Sequence, residues 1–321
     1  MSEFDLIRTY FAELGAARAD VELGVGDDCA LLKVPPGQVL AVSIDTLVCG
    51  THFLPDCDPR ALGHKSLAVG LSDLAAMGAE PAWATLALTL PPELVPQNPG
   101  WIGAFARGLG ALAQQHGVRL VGGDTTRGPL AVTLQVHGFV PAGAAIRRSG
   151  ARPGDLIYVS GTLGDAGLAL RQRQSGVPVD SGLSERLDRP SPRISLGAAL
   201  RGMASALIDI SDGLAADLGH ILESSGVGAD LDLKSLPLSP AVAAAVATES
   251  DWSLPLASGD DYELCICLPP ERAVGIEPLA ERLGCPLTRV GIIREGAGLV
   301  CLGPDGAVVH LACAGFDHFP G

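Results

Sequence analysis

Strand-like and helix-like segments take turns along this chain, with glycine and proline at the joints, and that alternation narrows the fold more than any other feature. VLAVSIDTL (39–47) has the apolar, β-branched character of a strand. DPRALGHKSLAVGLSDLAAMG (58–78) has helical spacing and is closed by Gly78. AWATLALTL (82–90) is a strand ended by Pro91 and Pro92, and WIGAFARGLGALAQQHG (101–117) is a helix ended by Gly117. The strands VRLVGG and LAVTLQVHGFV follow, and then PAGAAIRRSGARPGD (141–155) breaks the pattern with Pro, Gly and Arg. Beyond it come a strand, LIYVSG, a helix, DAGLALRQR, and a stretch that reads as a loop, DSGLSERLDRPSPR (180–193). ALIDISDGLAADLGH (206–220) passes from strand to helix. DYELCICLP (261–269) is a strand, followed by a helix near 271–284 and strands to the C-terminus. The pattern predicts a mixed α/β fold in two domains, 1–146 and 147–321, and a length of 321 residues suits that division.

The formal net charge is −14, so the chain lacks the basic stripe that a nucleic-acid partner requires and is suited instead to cations. Eight scattered cysteines form no CxxC pair, which fits reduced thiols in a cytoplasmic protein. SEFDLIRTYFAEL at the N-terminus places Phe4, Ile7, Phe11 and Leu14 at helical spacing and reads as an amphipathic helix rather than a signal peptide. No apolar run approaches the roughly 20 residues that span a bilayer, so a soluble protein is expected.

Acidic clusters recur where elements end: VGDDCA (25–30), SIDT (43–46), LSDLAAMG (71–78), GGDTT (122–126), IDISDG (208–213) and GDDYE (259–263). Each has an ordinary structural explanation. Asp212 could cap the helix after it, and Asp124 could hold a turn. Together they say more. Period 2 puts Ser43 and Asp45 on one strand face, and likewise Asp209 and Ser211. Were such carboxylates to converge, each close pair would cost about 4 kcal/mol at an effective dielectric near 20. A hard divalent cation offsets that cost, and magnesium commonly brings substrate phosphates with it. No GxxxxGK[ST] loop, HExxH pair or GxSxG elbow is present, and the GxG at 24–26 is a weak dinucleotide signal.

GVGDDCALL, SIDTLVCGTHF, KSLAVGLSDLAAMGAEP, GGDTTRGPL, RSGARPGD, IDISDGLAADLGH, SGDDYELC and GFDHF, in that order from about residue 4 to 319, resemble the thiamine-monophosphate kinases of the aminoimidazole-ribonucleotide-synthetase superfamily. The resemblance implies an N-terminal α/β domain that binds ATP and magnesium and dimerises through its sheet. It implies a C-terminal α/β domain that completes the ATP and substrate sites, with the nucleotide in the cleft between them. The implied reaction moves a phosphoryl group from ATP directly to thiamine monophosphate, assisted by several Mg²⁺ ions.

By the same resemblance Asp28, Asp45, Asp73, Asp124, Asp209 and Asp212 match magnesium ligands, with Ser43 and Ile44 at further ligand positions. Arg148, Ser211 and Arg107 match ATP contacts. Arg148 and Asp124 are expected nearest the reacting phosphates, and His52, Asp260 and Phe316 in the substrate pocket. Three positions depart from the family pattern. Ile44 stands where Thr is common and can offer only its backbone oxygen, Asp260 is shorter than the usual Glu, and Phe316 lacks the polar tip of Tyr or Trp. Two alternatives stay open: another ATP-dependent enzyme of the same superfamily, and a non-catalytic nucleotide- or Mg²⁺-binding regulator.

Overall fold

The N-terminal amphipathic stretch forms helix α1 (Glu3–Leu6), which runs on into a π-helical turn, Ile7–Phe11. Phe11 and Leu14 are buried as the spacing predicts, but Ile7 is only partly buried, Phe4 is 75% exposed, and Leu6, outside the predicted set, is buried instead. The computed structural model describes residues 3–311, 315, 316 and 318. Contacts divide the chain into two units. The first comprises residues up to Leu74 with Ala79–Gly143, the second Ala75–Gly78 with Ala144 onward.

In the first unit a short antiparallel pair, β1 (Val21–Leu23) and β2 (Leu31–Leu32), precedes the main sheet. That sheet contains β3 (Gln38–Val48), β4 (Glu80–Leu90), β5 (Arg119–Arg127) and β6 (Ala131–Pro141), in the order β3-β6-β4-β5. β4 and β5 run parallel and the other neighbours antiparallel. Helices α2 (Pro59–Ala76), α3 (Leu94–Gln97) and α4 (Trp101–Gln115) connect them. Leu67 and Leu71 of α2, Phe105 and Leu109 of α4, and Leu88 and Leu134 of the sheet are fully buried. The two long helices cross backbone on backbone: a Cβ at Gly108 would stand 1.8 Å from the Arg60 carbonyl oxygen, and one at Gly63 2.1 Å from that of Phe105.

The opposite sheet face is uncovered within this unit. β3 lies at the sheet edge, and alternate residues Leu40, Val42 and Ile44 are exposed, Ile44 at 61%. Beside them Thr46 and Thr133 share a hydroxyl hydrogen bond of 2.8 Å across the β3–β6 pair.

The second unit carries β7 (Leu156–Ser160), β8 (Ala206–Ile210), β9 (Gly228–Asp232), β10 (Glu263–Leu268), β11 (Leu287–Arg294), β12 (Gly298–Leu302) and β13 (Val308–Val309), in the order β13-β12-β9-β11-β7-β10-β8. Its helices are α5 (Asp165–Gln174), α6 (Ser181–Asp188), α7 (Ile194–Ala199), α8 (Leu214–Ser225), α9 (Pro240–Glu249), α10 (Ser253–Ala257) and α11 (Ile276–Leu283). β10 is buried along its whole length, so Cys265 and Cys267 are core residues as expected.

The 180–193 stretch is not a loop throughout, as its composition suggests. Asp180 accepts the Gly182 N–H at 2.7 Å and so caps α6. Leu183 and Leu187, four residues apart, are then buried in a cluster with Leu168, Val242 and Val246. Two apolar residues among charges give a weak periodic signal, and tertiary packing supplies the rest. Among the described residues no helix is long and apolar enough to cross a membrane.

Candidate active site

Most of the expected site residues fall into three groups, two in the first unit and one in the second, with Arg107 and His52 standing apart. The first lies under the sheet. Strand alternation turns Ser43 and Asp45 of β3 toward α2, where Asp73 sits near the helix end. A Cβ at Gly70 would stand 3.0 Å from Val136 and 3.5 Å from Asp45 Oδ2, so the missing side chain lets α2 close down on this face. Ser43 Oγ donates to Asp73 Oδ2. Asp45 Oδ2 is buried with no hydrogen-bond partner. Burial, with the like charge of Asp73 adding to it, pushes the Asp45 carboxyl up to about 7. Ile44 points to the uncovered face, leaving its backbone oxygen as the one donor it could offer a cation.

The second group lines a cavity of about 630 Å³. Asp28 and Asp124 both face it, with Asp27 and the bare backbone of Gly122 and Gly123. Gly123 is required there: its φ is +152°, and a Cβ would stand 1.9 Å from the Leu86 carbonyl oxygen. Phe4, Ile7 and Phe11 supply an apolar side to the same cavity. Arg107 lies outside this lining, exposed on α4 beside Gly103. His52 follows β3 in a turn, where its Nδ1 accepts the Val48 N–H at 3.0 Å and its own N–H donates to the Val48 carbonyl at 2.9 Å.

In the second unit, chain geometry gathers the third group. β8 ends at Ile210, and β10 begins beside it in antiparallel register with Glu263 opposite Ile210. The loop leaving β8 therefore meets the loop entering β10. The Asp260 N–H donates to the Ser211 carbonyl at 2.8 Å, and the Phe316 N–H to the Asp212 carbonyl at 3.1 Å. Asp209 is buried on β8, and Phe316 is half-exposed with its ring edge-on to His318 at 4.8 Å. Burial raises the Asp212 carboxyl, and Asp260 adds to the rise. The positive charges of His220, His318 and Arg148 pull the other way. Asp209, Ser211, Asp212, Asp260 and Phe316 are thus brought together, and Arg148 lies within electrostatic reach of Asp212.

Sequence reasoning missed Asp217, which shapes this loop. Its Oδ2 accepts three consecutive backbone N–H groups, those of Ser211, Asp212 and Gly213, at 3.0, 3.0 and 3.1 Å. Burial and the neighbouring Asp212 push it up to about 7 against the pull of those three donors. The available signal was an acid in the first turn of α8, where the free N–H groups of a helix start favour a carboxylate.

Among the described residues no three His, Cys, Asp or Glu side chains stand close enough to hold a metal by themselves. Magnesium does not require that, since one or two carboxylates with substrate phosphates and water commonly complete its shell. The buried, unpartnered Asp45 Oδ2 beside Asp73 and the Ser43 hydroxyl is an all-oxygen donor set that suits it.

The models for AIR synthase related protein match this chain twice, the N-terminal domain over residues 26–140 and the C-terminal domain over residues 152–302. A thiamine-monophosphate kinase of Escherichia coli K12 is 50% identical over 99% of this chain and 98% of its own length. The crystal structure of thiamine-monophosphate kinase from Stenotrophomonas maltophilia K279a superposes with a TM-score of 0.83 at 46% identity, covering 91% of this chain and 93% of that one. The structure of AaThiL complexed with AMPPCP and TMP gives 0.77 at 30% identity, with 89% of each chain covered.

Proposed function

This chain belongs to the thiamine-monophosphate kinase family, and we propose that it transfers the γ-phosphoryl group of ATP directly to the phosphate of thiamine monophosphate, giving ADP and thiamine diphosphate. The observation that carries the reading is the buried Asp45 Oδ2, unpartnered and facing Asp73. A protein that only had to fold would gain by replacing it, whereas a cation-dependent enzyme needs it.

The chemistry asks little of a proton acceptor. A phosphate monoester with a second pKa of about 6 is mostly dianionic at pH 7 and is already a nucleophile. The obstacle is repulsion between two polyanions, so positioning and charge neutralisation do most of the work. Magnesium, when bound, neutralises phosphate charge. Asp45, Asp73 and Ser43, with Asp28, Asp124, Asp209, Asp212 and the Ile44 carbonyl, would hold such ions. Arg148 offers a forked donor to phosphate oxygens. In the first unit Gly122 and Gly123, bare beside Asp124, let phosphate oxygens approach the backbone and Arg107 offers a polar contact; in the second unit Ser211 offers another. Asp260, His52 and Phe316 serve the thiamine end, where a ring face suits a cationic thiazolium. A cytoplasmic location fits such a kinase.

Incubation with ATP, Mg²⁺ and thiamine monophosphate is expected to yield one thiamine diphosphate per ADP, read by chromatography, with inversion at a chiral γ-phosphate. Nucleotide binding without turnover would favour the regulator. ADP release without thiamine diphosphate would favour another enzyme of the superfamily. Retention of configuration would point to a phosphoenzyme.

The protein is further expected to be a homodimer built on the open face of the first-unit sheet. Leu40, Val42 and Ile44 project there from an edge strand, an apolar surface that invites a second copy. Ile44→Asp should halve the mass seen by light scattering, and an unchanged mass would remove this face from consideration.

A further inference from the structure

One residue beyond Asp260 lies a buried ionic network with no part in the chemistry above. Asp261 and Glu263 are both buried, on either side of Tyr262 at the entry to β10. Both oxygens of Asp261 accept the Gly164 N–H, at 2.9 and 3.2 Å. Arg186 of α6 donates to the main-chain carbonyls of Thr162 and Asp261, each at 3.2 Å, and pairs with Glu263 Oε1 at 2.9 Å. Arg193 forks onto the same carboxylate, with Nε 2.6 Å from Oε2 and Nη2 on Oε1. Ser160 Oγ donates to Oε2 at 2.5 Å.

Between these anchors the backbone is left-handed three times in four residues: φ is +71° at Gly259, +62° at Asp260 and +48° at Tyr262. Gly259 adopts this freely, but a side chain at Asp260 or Tyr262 makes it unfavourable, so the surroundings must impose it. They do so on both sides of Asp260. Its N–H is tied to the Ser211 carbonyl at 2.8 Å, and that of Tyr262 to the Ile210 carbonyl at 2.8 Å. The carbonyl gripped by Arg186 is that of Asp261, the residue between the two unfavourable ones. A core ion pair kept only for stability would need no such grip on the main chain, and apolar replacements often serve stability as well.

We infer that Asp261 and Arg186, anchored by Glu263, are positioning residues that impose the left-handed turn and so present Asp260 beside Ser211 and Asp212 to the substrate. The inference rests on Asp260 being a substrate contact, as proposed above. Asp261→Asn keeps the shape and one acceptor for Gly164 while replacing the second carboxyl oxygen that faces the same N–H, and Arg186→Met keeps the stem while losing the grip.

Each should raise the KM for thiamine monophosphate by about fivefold or more while the KM for ATP moves less than about twofold, as displacement of one contact requires. The deciding measurement is the double mutant: with Asp260→Ala already in place, adding Asp261→Asn should raise the KM no further. If Asp260→Ala alone leaves the KM for thiamine monophosphate unchanged, the substrate role of Asp260 and the inference built on it both fall. If Asp260→Ala raises it but Asp261→Asn and Arg186→Met do not, or add to it independently, the positioning role alone is refuted. Should Asp261→Asn fail to fold, Arg186→Lys, which retains charge without the fork, is read in the same cycle.

Discussion

Asp45→Asn is expected to give a protein that melts higher at neutral pH than the parent and turns over on the order of a hundredfold more slowly. Both halves come from one geometry. Asp45 Oδ2 is buried without a hydrogen-bond partner and faces the carboxylate of Asp73. In the metal-free protein the charge is a liability, and the amide removes it at nearly constant volume. In the working enzyme the same charge is a cation ligand, and a neutral amide is a poorer one.

The pH dependence follows with a definite sign. The folded state holds the Asp45 proton up to about 7, whereas the unfolded chain releases it near the ordinary value of 3.8. Between those values the folded state binds more protons, so stability falls as pH rises and levels off above the folded value. Asp217, also pushed up to about 7, contributes in the same direction. Without divalent ions the parent should therefore melt lower at pH 7.5 than at pH 5, and Asp45→Asn should flatten that slope. Saturating Mg²⁺ should restore the parent at pH 7.5, since a ligand that binds only the native state stabilises it, by about 2.7 kcal/mol at a hundredfold excess over Kd. A parent whose melting temperature rises from pH 5 to 7.5 without Mg²⁺ would contradict the account, as would an active Asp45→Asn enzyme.

Gly108→Ala should strongly destabilise the first unit. A methyl group there would stand 1.8 Å from the Arg60 carbonyl oxygen, and the obstacle is backbone, which cannot rotate away. α2 and α4 would have to separate, against the reciprocal close contact of Gly63 with Phe105. Overpacking of this kind costs about 3 kcal/mol, or on the order of 5–10 °C in Tm for a domain of this size. Because α2 carries Asp73, activity should fall with stability. Gly110→Ala is the control: on the same helix its nearest neighbour would be the Leu14 side chain at 3.5 Å, an ordinary contact. There the better helix propensity of alanine should leave Tm unchanged or slightly higher. Equal losses at the two positions would mean that propensity, not helix approach, sets the effect.

Much of the fold was legible because periodicity is local. β3, α2, β4 and α4 stand within a few residues of their predicted spans, each bounded by Gly, Pro or a charge. α6 was not legible, since two leucines make a helix only when a hydrophobic cluster receives them. The candidate site divides in the same way. Ser43 and Asp45 share a face because a strand alternates, which the sequence alone states. That the loop at Asp260 meets Ser211, and the backbone at Phe316 meets Asp212, depends on β8 and β10 being neighbours and on where the chain end returns, across 49 and 104 residues of separation.

By itself, then, the sequence determined the alternation of elements, the faces of individual strands, the acidic and oxygen-rich character of the site and, through its motifs, the family. Only tertiary structure decided that Asp45 is desolvated against Asp73, that Asp217 gathers three backbone N–H groups, and that Arg186 grips the turn carrying Asp260. The physical reason is that residue type and spacing act over one or two turns of chain. Desolvation and charge pairing depend on which distant segments exclude water together, and no local pattern encodes that.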